Sequence, residues 1–386
     1  MLWFVAESAS SSLTSSEAVV SFVKEVVVPT VRVAICGFGR VGRAFAELLE
    51  RKEAQLARDY GLAIRATAIA DIGGCAVDPD GLAVGDVIRH VGTGAAIETC
   101  PGVGRPGMTG VEAIRSGIAD ILVETTPTNF VDGEPGLTHF RAAIDSGLHV
   151  VTASKGPMVV RYGELRDLAA SKGVRIMTSA ATAAALPTLD VAFTCLAGTE
   201  ILSVEGILNG TTNYILSRMQ IEGAAYAEVL AEAQRLGIAE PDPSFDVEGR
   251  DTANKVLLIA NGIYRTELSL SDIPVEGITG VTPEMLERAA ARGMVIKLVG
   301  RAERRDGQVA ASVGPVELPA THPLATVNGS EKAISYLTDT MDRVTVSGGK
   351  SSPVGAAAAL LKDVINLERE LGVTGRPAAQ TVGLAS

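Results

Sequence analysis

Hydrophobic residues in the first half of the chain recur with the spacing of short buried strands that alternate with helices. An apolar run at 31–36 precedes a glycine turn, and the apolar positions from about 41 to 60 share one helical face. Parallel strands need crossover connections, so the alternation predicts a doubly wound parallel α/β sheet. Further strands are predicted at 63–70, 118–124, 148–152 and 174–178, with helices at 139–146 and 162–171.

The pattern changes after about residue 179, where helices and strands follow one another in mixed order. This order predicts a second domain of the α+β class. Its predicted elements are an Ala-rich helix with Pro187 near its start, a strand near 201–208, helices at 226–236 and 250–263, and strands near 295–301 and 308–316. A last amphipathic helix, at about 353–371, can return to the first domain. The predicted divisions are an N-terminal extension (1–30), a Rossmann-type domain (31–178), the α+β domain (179–346) and the C-terminal helix (347–386).

Composition narrows the class of partner. The 386 residues carry a net charge of −11, with 47% hydrophobic and 4% aromatic residues. Phosphate recognition needs clustered Lys and Arg, so we expect a small-molecule substrate and neither nucleic acid nor membrane as partner. The scattered cysteines and histidines show no ligand spacing, which predicts no metal site and leaves acid–base chemistry to Lys, Asp and Glu. The N-terminal 30 residues lack the basic start of a signal peptide, so the predicted location is the cytoplasm.

A glycine-rich turn lies directly after the first strand and directly before the first helix. It reads Gly37-Phe38-Gly39-Arg40-Val41-Gly42, a GxGxxG in the context that binds a dinucleotide pyrophosphate. Asp71, at the end of the next strand, is placed to accept hydrogen bonds from the adenosine ribose. No basic residue follows Asp71, which favours NAD over NADP, although Arg40 lies close to the turn. The alternative is a glycine turn that only closes an ordinary βα unit.

Two later segments carry candidate catalytic groups. Lys155 follows the predicted strand at 148–152, at the end of a parallel strand where ligands bind in open α/β sheets. Asp251 and Lys255 are four residues apart in a predicted helix, so the carboxylate can hold the ammonium in place. Glu240 and Asp246 precede that helix in a Pro-rich loop, and could bind a substrate ammonium. The alternatives are a solvated lysine, an ordinary helical ion pair and an acidic surface loop.

Between these segments, the stretch Asn209-Gly210-Thr211-Thr212-Asn213-Tyr214 leads from a strand into a helix. Thr211 or Thr212 can cap this helix, and the free N–H groups of its first turn would attract a substrate carboxylate. A cap without a ligand is the alternative.

Taken in order, the motifs GxGxxG, TPTN, VVTxxKGP, NGTTNYIL and AExDPxxDxxGxDxxxK resemble those of the homoserine dehydrogenases. The resemblance extends over about residues 31–371 and is greatest to the compact, archaeal-type forms without a C-terminal ACT domain. It implies NAD(P)-dependent interconversion of L-homoserine and L-aspartate 4-semialdehyde in threonine and methionine biosynthesis. It also implies a homodimer formed through the second domain, in which the 295–316 strands extend a shared sheet.

The resemblance assigns roles to single residues. Lys255 matches the lysine that handles the proton of the reacting oxygen, with Asp251 beside it, and Lys155 matches a second lysine near that oxygen. The remaining matches are Glu240, Asp246, Gly210 and Thr211 for the substrate, and Thr126, Pro127 and Gly355 for the cofactor.

One stretch departs from the family pattern. Where relatives carry Glu-Ala-x-Val-Gly-Gly before a proline, this chain has Ser179-Ala180-Ala181-Thr182-Ala183-Ala184-Ala185-Leu186-Pro187. The family's monovalent-cation site uses that missing glutamate, so we expect no such site here. The departure, together with Ser154 in place of the usual Asn, leaves open a dehydrogenase for another hydroxy acid or hydroxy amino acid. The sequence is also compatible with an inactive dinucleotide-binding homologue or with a cysteine-dependent semialdehyde dehydrogenase.

Overall fold

The computed structural model describes residues 28–349 and 351–375, so most of the predicted N-terminal extension lies outside the described residues. A seven-stranded sheet occupies the first half of the chain, and helices cover both of its faces. Its elements are β1 (Thr30–Cys36), α1 (Arg40–Tyr60), β2 (Ala63–Asp71), β3 (Gly74–Val77), α2 (Val84–Gly92), β4 (Gly104–Pro106), α3 (Gly110–Arg115), β5 (Ile121–Glu124), α4 (Gly136–Asp145), β6 (His149–Thr152), α5 (Gly156–Val160), α6 (Tyr162–Lys172) and β7 (Ile176–Met177).

The strand order of this first sheet is β4-β3-β2-β1-β5-β6-β7. The five strands from β2 to β7 in that order are parallel, which confirms the predicted doubly wound sheet. Strands β3 and β4 run antiparallel at the edge and were not predicted. Only two residues, Ile72 and Gly73, connect β2 to β3, and so short a connection permits an antiparallel hairpin but no crossover.

A five-stranded antiparallel sheet forms the core of the second half, in the order β10-β9-β8-β11-β12. Helix α11 packs on its inner face, where a side chain at Gly300 would overlap Val256. The predicted α+β domain is therefore confirmed. Its elements are α7 (Ser179–Ala183), β8 (Ile201–Ile207), α8 (Gly210–Glu222), α9 (Tyr226–Arg235), α10 (Ser244–Val247), α11 (Arg250–Tyr264), α12 (Pro283–Ala290), β9 (Met294–Arg305), β10 (Gln308–Pro319), β11 (Ala333–Thr338) and β12 (Arg343–Ser347).

The Ala-rich segment differs from the helix that the sequence predicts. Helix α7 ends at Ala183, and Ala184 has a positive φ, with φ 54° and ψ −116°. Helical structure resumes after Pro187, as one wide turn at Val191–Cys195. Pro187 disfavours the helical conformation in Leu186, the residue before it, so a helix cannot run on through this position.

The last helix, α13 (Pro353–Leu371), packs against α1 of the first sheet through buried leucine, valine and phenylalanine side chains. Ser352 caps it by accepting a hydrogen bond from the Gly355 N–H at 3.0 Å. Within residues 28–349 and 351–375, no helix combines the length and apolar character needed to cross a membrane.

Candidate active site

The glycine turn after β1 is shaped by backbone contacts that leave no room for side chains at two positions. Gly37 has φ +90°, and a Cβ there would lie 2.6 Å from the backbone nitrogen of Thr126. A Cβ on Gly42 would overlap the carbonyl oxygen of Gly37. At Gly39 a Cβ would meet nothing within 4 Å, so this backbone is open to an approaching ligand. The turn therefore fits the pyrophosphate of a dinucleotide at the N-terminus of α1.

The side chains of the turn point away from this open face or stay on its rim. Phe38 is fully buried, and its carbonyl oxygen accepts a 2.8 Å hydrogen bond from Arg43 Nε. Arg40 is exposed and Val41 is half-buried. The Gly37 N–H donates to Ala70 O at 2.8 Å, which brings the exposed Asp71 to the edge of the turn.

A carboxylate that the sequence did not single out holds the next loop in place. Glu124, fully buried at the end of β5, accepts hydrogen bonds from the Thr126 N–H at 2.8 Å and from the Thr126 hydroxyl. Its other oxygen lies 2.8 Å from His139 Nδ1 on α4. The segment Thr126–Pro127 is thus fixed beside Gly37. No local spacing links Glu124 to His139, so the sequence carried no signal for this contact.

Cys36 completes a group with Glu124 and His139, and the potential ligand atoms of the three lie within 4.8 Å of one another. Burial raises the pKa of the Cys36 thiol, and the nearby Glu124 charge raises it further. The hydrogen bonds of the carboxylate already account for this arrangement. The absence of a metal site thus stays a prediction.

Two lysines from different halves of the chain meet at one carboxylate. Asp251, near the start of α11, lies 2.5 Å from Lys255 Nζ through Oδ2 and 3.6 Å from Lys155 Nζ through Oδ1. The Lys255 ammonium also donates to Leu208 O at 2.8 Å, at the end of β8. Lys155 begins α5 directly after β6, and its N–H donates to the Thr128 hydroxyl at 3.2 Å. This lysine centre, Lys155, Asp251 and Lys255, therefore adjoins the loop that lies against the glycine turn.

The charges in the lysine centre depend on one another. Burial raises the pKa of the Asp251 carboxyl, but the charges of Lys255 and Lys155 outweigh that effect and hold its pKa far below the ordinary value. Burial lowers the pKa of Lys155, the Asp251 charge raises it, and the Lys255 charge lowers it; the net direction is downward. A lysine that releases its proton more readily than usual suits proton exchange near neutral pH.

Asn209 joins the centre to the neighbouring acidic loop, and its role was not predicted. Its side-chain Nδ2 donates to Asp246 Oδ1 at 2.6 Å and to Asp251 Oδ2 at 2.9 Å. Asn209 Oδ1 accepts from the Thr212 N–H at 3.0 Å and so caps α8. The predicted cap by Thr211 or Thr212 is therefore wrong, because the helix begins earlier, at Gly210. An Asn directly before a helix is a strong capping signal that could have shown this.

The remaining predicted substrate residues make the following contacts. A Cβ on Gly210 would lie 2.8 Å from Ser330 O, so the close approach of the two chain segments requires glycine. The Thr211 hydroxyl donates to Ile238 O at 3.1 Å. Burial and the Asp251 charge raise the pKa of Asp246. Glu240 is exposed at the start of the loop, and the hydrogen bonds found there involve its backbone carbonyl.

Two phenylalanines, one from each half of the chain, stack on each other. The rings of Phe130, in the loop after Thr126–Pro127, and Phe245, on α10, have centroids 5.3 Å apart and an interplanar angle of 22°. Phe245 directly precedes Asp246 in the chain. The contact therefore links the loop beside the glycine turn to the loop beside the lysine centre.

Comparisons with known proteins agree with this geometry. The family profile described as homoserine dehydrogenase, NAD binding domain, matches residues 37–179, and the homoserine dehydrogenase profile matches residues 187–365. A homoserine dehydrogenase of Methanocaldococcus jannaschii is 39% identical over 335 residues, covering 87% of this chain and 98% of the relative. An NAD(+)-dependent homoserine dehydrogenase of Pseudomonas canavaninivorans is 35% identical over 340 residues, covering 88% and 96%. The crystal structure of a homoserine dehydrogenase from Thiobacillus denitrificans has a TM-score of 0.76 at 28% identity, covering 90% of this chain and 76% of the other.

Proposed function

Because this chain belongs to the homoserine dehydrogenase family and is an NAD(P)-dependent oxidoreductase, we propose that its lysine centre interconverts L-homoserine and L-aspartate 4-semialdehyde. The observation that supports this most directly is the convergence of Lys155 and Lys255 on Asp251, beside the loop that lies against the glycine turn. A bound nicotinamide would supply or accept the hydride at the substrate carbon.

The residues of the centre handle the proton that accompanies the hydride. When the alcohol is oxidised, the hydroxyl oxygen gives its proton to a neutral lysine; when the aldehyde is reduced, a lysine ammonium donates it. We assign this exchange to Lys255, whose Nζ is held by Asp251 and by Leu208 O. Lys155 is a second lysine near the same oxygen, and its lowered pKa suits it to exchange the proton in turn. Asp251 fixes both lysines and stays ionised at neutral pH, since its pKa is held far below the ordinary value.

We assign the carboxylate and the ammonium group of the substrate to groups that lie next to this centre. The N-terminus of α8, with Gly210 and Thr211, offers free N–H groups and a partial positive charge to the substrate carboxylate. Asp246 and Glu240 are the candidates for its ammonium group, and Asp246 is tied to the centre through Asn209. Asp246→Asn should therefore raise KM for homoserine more than Glu240→Gln does. Equal effects of the two substitutions on KM would contradict the assignment of Asp246 as the main partner of the substrate ammonium.

The cofactor residues in this proposal are Gly37, Phe38, Gly39, Arg40, Val41, Gly42, Asp71, Thr126, Pro127, Lys155 and Gly355. We propose that NAD is preferred, because the Asp71 carboxylate at the edge of the turn would repel a 2′-phosphate. Asp71→Ser should lower the ratio of kcat/KM with NAD to that with NADP. An unchanged ratio would contradict the assignment of Asp71.

A second copy of this chain is the proposed partner, and the cytoplasm the proposed location. The outer face of the second sheet carries a groove of about 360 Å³ that is lined in part by Val275, Val299 and Val316. Val275 and Val316 are exposed apolar side chains, and burying them would favour association. Sedimentation equilibrium of wild type and Val316→Glu tests this, since the charge should dissociate a dimer formed through the groove.

The decisive experiment removes each lysine separately. Lys255→Met should lower kcat for homoserine oxidation by about 10²–10⁴-fold with NADH affinity unchanged. Lys155→Met should lower kcat by a smaller factor and also weaken NADH binding, since Lys155 is among the proposed cofactor residues. Nicotinamide absorbance measures turnover and NADH fluorescence measures cofactor binding. Lys172→Met, at a half-exposed lysine on α6, is the matched control and should behave as wild type. Unchanged turnover in Lys255→Met would refute the proposed proton transfer.

A further inference from the structure

The buried segment Ser179–Ala183 is held by lysine ammonium groups at both of its ends. At the first end, Lys362 Nζ on α13 lies 2.8 Å from Ser179 Oγ and 2.9 Å from Asp363 Oδ1, and it also pairs with Asp190. At the second end, Lys332 Nζ donates to Ala183 O at 2.6 Å. The side chains of this segment are buried. Lys332 is fully buried as well, whereas Lys362 is partly exposed.

The first end is a cage of oxygen atoms around one positive charge. Asp363 is fully buried; its Oδ1 accepts from the Ser179 hydroxyl at 2.7 Å and its Oδ2 from the Ser179 N–H at 3.2 Å. The Ser179 hydroxyl also lies 3.3 Å from Asp190 Oδ2. Two carboxylates and a hydroxyl are ligands that a hard cation prefers, and in this chain they surround Lys362 instead.

The second end is adjacent to the lysine centre. Lys332 directly precedes β11, whose Ala333 pairs with Ile207 of β8. This register places Lys332 beside Leu208, whose carbonyl oxygen accepts a hydrogen bond from the Lys255 ammonium. Lys332 is fully buried, and burial, together with the charge of Lys255, lowers its pKa to about 7. Burying a lysine in this way is costly, which indicates that its charge serves the site.

These residues do not fit the monovalent cation that the family resemblance implies. Ser179 stands where the family pattern has the glutamate, and its hydroxyl is already hydrogen-bonded to Lys362 and Asp363. Two ammonium groups along one short segment would also repel a third positive charge. We propose that Lys362 and Lys332 are tethered cations that hold the segment Ser179–Ala183 against the lysine centre, so that this protein works without bound sodium or potassium.

The first test compares salts at equal ionic strength, about 0.1 M, in the full-length protein. Sodium, potassium and tetramethylammonium chloride should give the same wild-type Tm and the same kcat/KM for homoserine. Tetramethylammonium is too large for a site built for a small cation. Saturable activation or stabilisation of the wild type by sodium or potassium would overturn the proposal.

The second test removes one tether. Lys362→Ala leaves Asp190, Asp363 and the Ser179 hydroxyl around an open space, so sodium or potassium should now bind there. Its Tm should be lower than that of wild type in tetramethylammonium and should rise by at least about 2 °C in sodium or potassium. Lys172→Ala is the control and should show no ion-specific shift. A Lys362→Ala protein with the same Tm in all three salts would overturn the proposal.

The third test concerns the buried tether. Lys332→Ala should lower kcat at least about tenfold, and methylammonium should restore part of it whereas tetramethylammonium should not. A purely structural loss would show no such selectivity. Equal effects of the two amines would overturn the assignment of Lys332. If this variant fails to fold, the wild-type and Lys362→Ala measurements still decide the proposal.

Discussion

Asp251→Asn is the substitution that tests the electrostatics of the centre most sharply. Three donors converge on the Asp251 carboxylate: Lys255 Nζ at 2.5 Å, Asn209 Nδ2 at 2.9 Å and Lys155 Nζ at 3.6 Å. A carboxylate only accepts, whereas an amide of the same shape has one accepting oxygen and one donating nitrogen. In Asp251→Asn, at least one of these donors would therefore face the amide nitrogen, which is also a donor. Asp251 is only 7% exposed, so this mismatch would be buried.

The size of the effect follows from burial. Removing one partner of a buried ion pair costs about 3–5 kcal/mol, because the remaining charge stays uncompensated. We expect Asp251→Asn to lose that much of the free energy of unfolding at pH 7, and kcat to fall because neither lysine is held in position. The surface pair Arg58–Asp59, 2.8 Å apart, supplies the control: Asp59→Asn should leave the denaturation midpoint unchanged.

The free energy of unfolding that Asp251→Asn loses should also depend on pH, and the pKa of Asp251 fixes the direction of that dependence. The pKa of Asp251 in the folded protein is far below its ordinary value of 3.8, so its stabilising effect is complete above about pH 4 and is lost as the pH falls further. The stability difference between wild type and Asp251→Asn should therefore shrink as the pH falls below about pH 4. Urea denaturation followed by far-ultraviolet circular dichroism measures both quantities. Equal stabilities at pH 7, or a difference that persists unchanged at pH 3, would refute the reasoning.

Three further substitutions test other parts of the structure. Ala184→Gly should raise the free energy of unfolding by about 1 kcal/mol, because glycine adopts φ 54° without strain; a lower Tm would contradict this. Glu124→Gln should raise KM for the cofactor, since it weakens the bonds that fix Thr126, and an unchanged KM would show that the loop is held by other contacts. The free energy of unfolding of Lys332→Met relative to wild type should be most favourable to the variant below about pH 7, where the buried ammonium is charged, and should become less favourable to it as the pH rises toward 10.5. Denaturation midpoints at pH 6 and pH 9 measure this difference, and a change with pH in the opposite direction would contradict the sign.

The features that the sequence predicts well are those determined by residues close together in the chain. The glycine turn is readable because Gly42 lies against the backbone of Gly37, five residues earlier, as the tight turn of a βα unit requires. The pair Asp251 and Lys255 is readable because residues four apart meet on one helical face. The five parallel strands follow from their apolar runs and the helices between them.

The contacts that the sequence did not reveal join residues far apart in the chain. His139 meets Glu124 only because α4 packs against β5, and Lys332 meets Ala183 across 149 residues. The Ala-rich segment misled for a different reason: alanine favours helix locally, whereas Ala184 has a positive φ that ends the helix. Where tertiary contacts override local preference, the pattern of hydrophobic and polar residues does not predict the conformation that the chain adopts.

The two halves of the chain hold complementary parts of one reaction. The open glycine turn and Lys155 belong to the first sheet, whereas Asp251 and Lys255 belong to α11 of the second half. A shift of about 1 Å between the halves would therefore change the distance from hydride donor to proton carrier, to which reaction rates are very sensitive. Two of the contacts that cross between the halves, the Lys155–Asp251 ion pair and the Phe130–Phe245 stack, thus matter for catalysis even where they add little to stability.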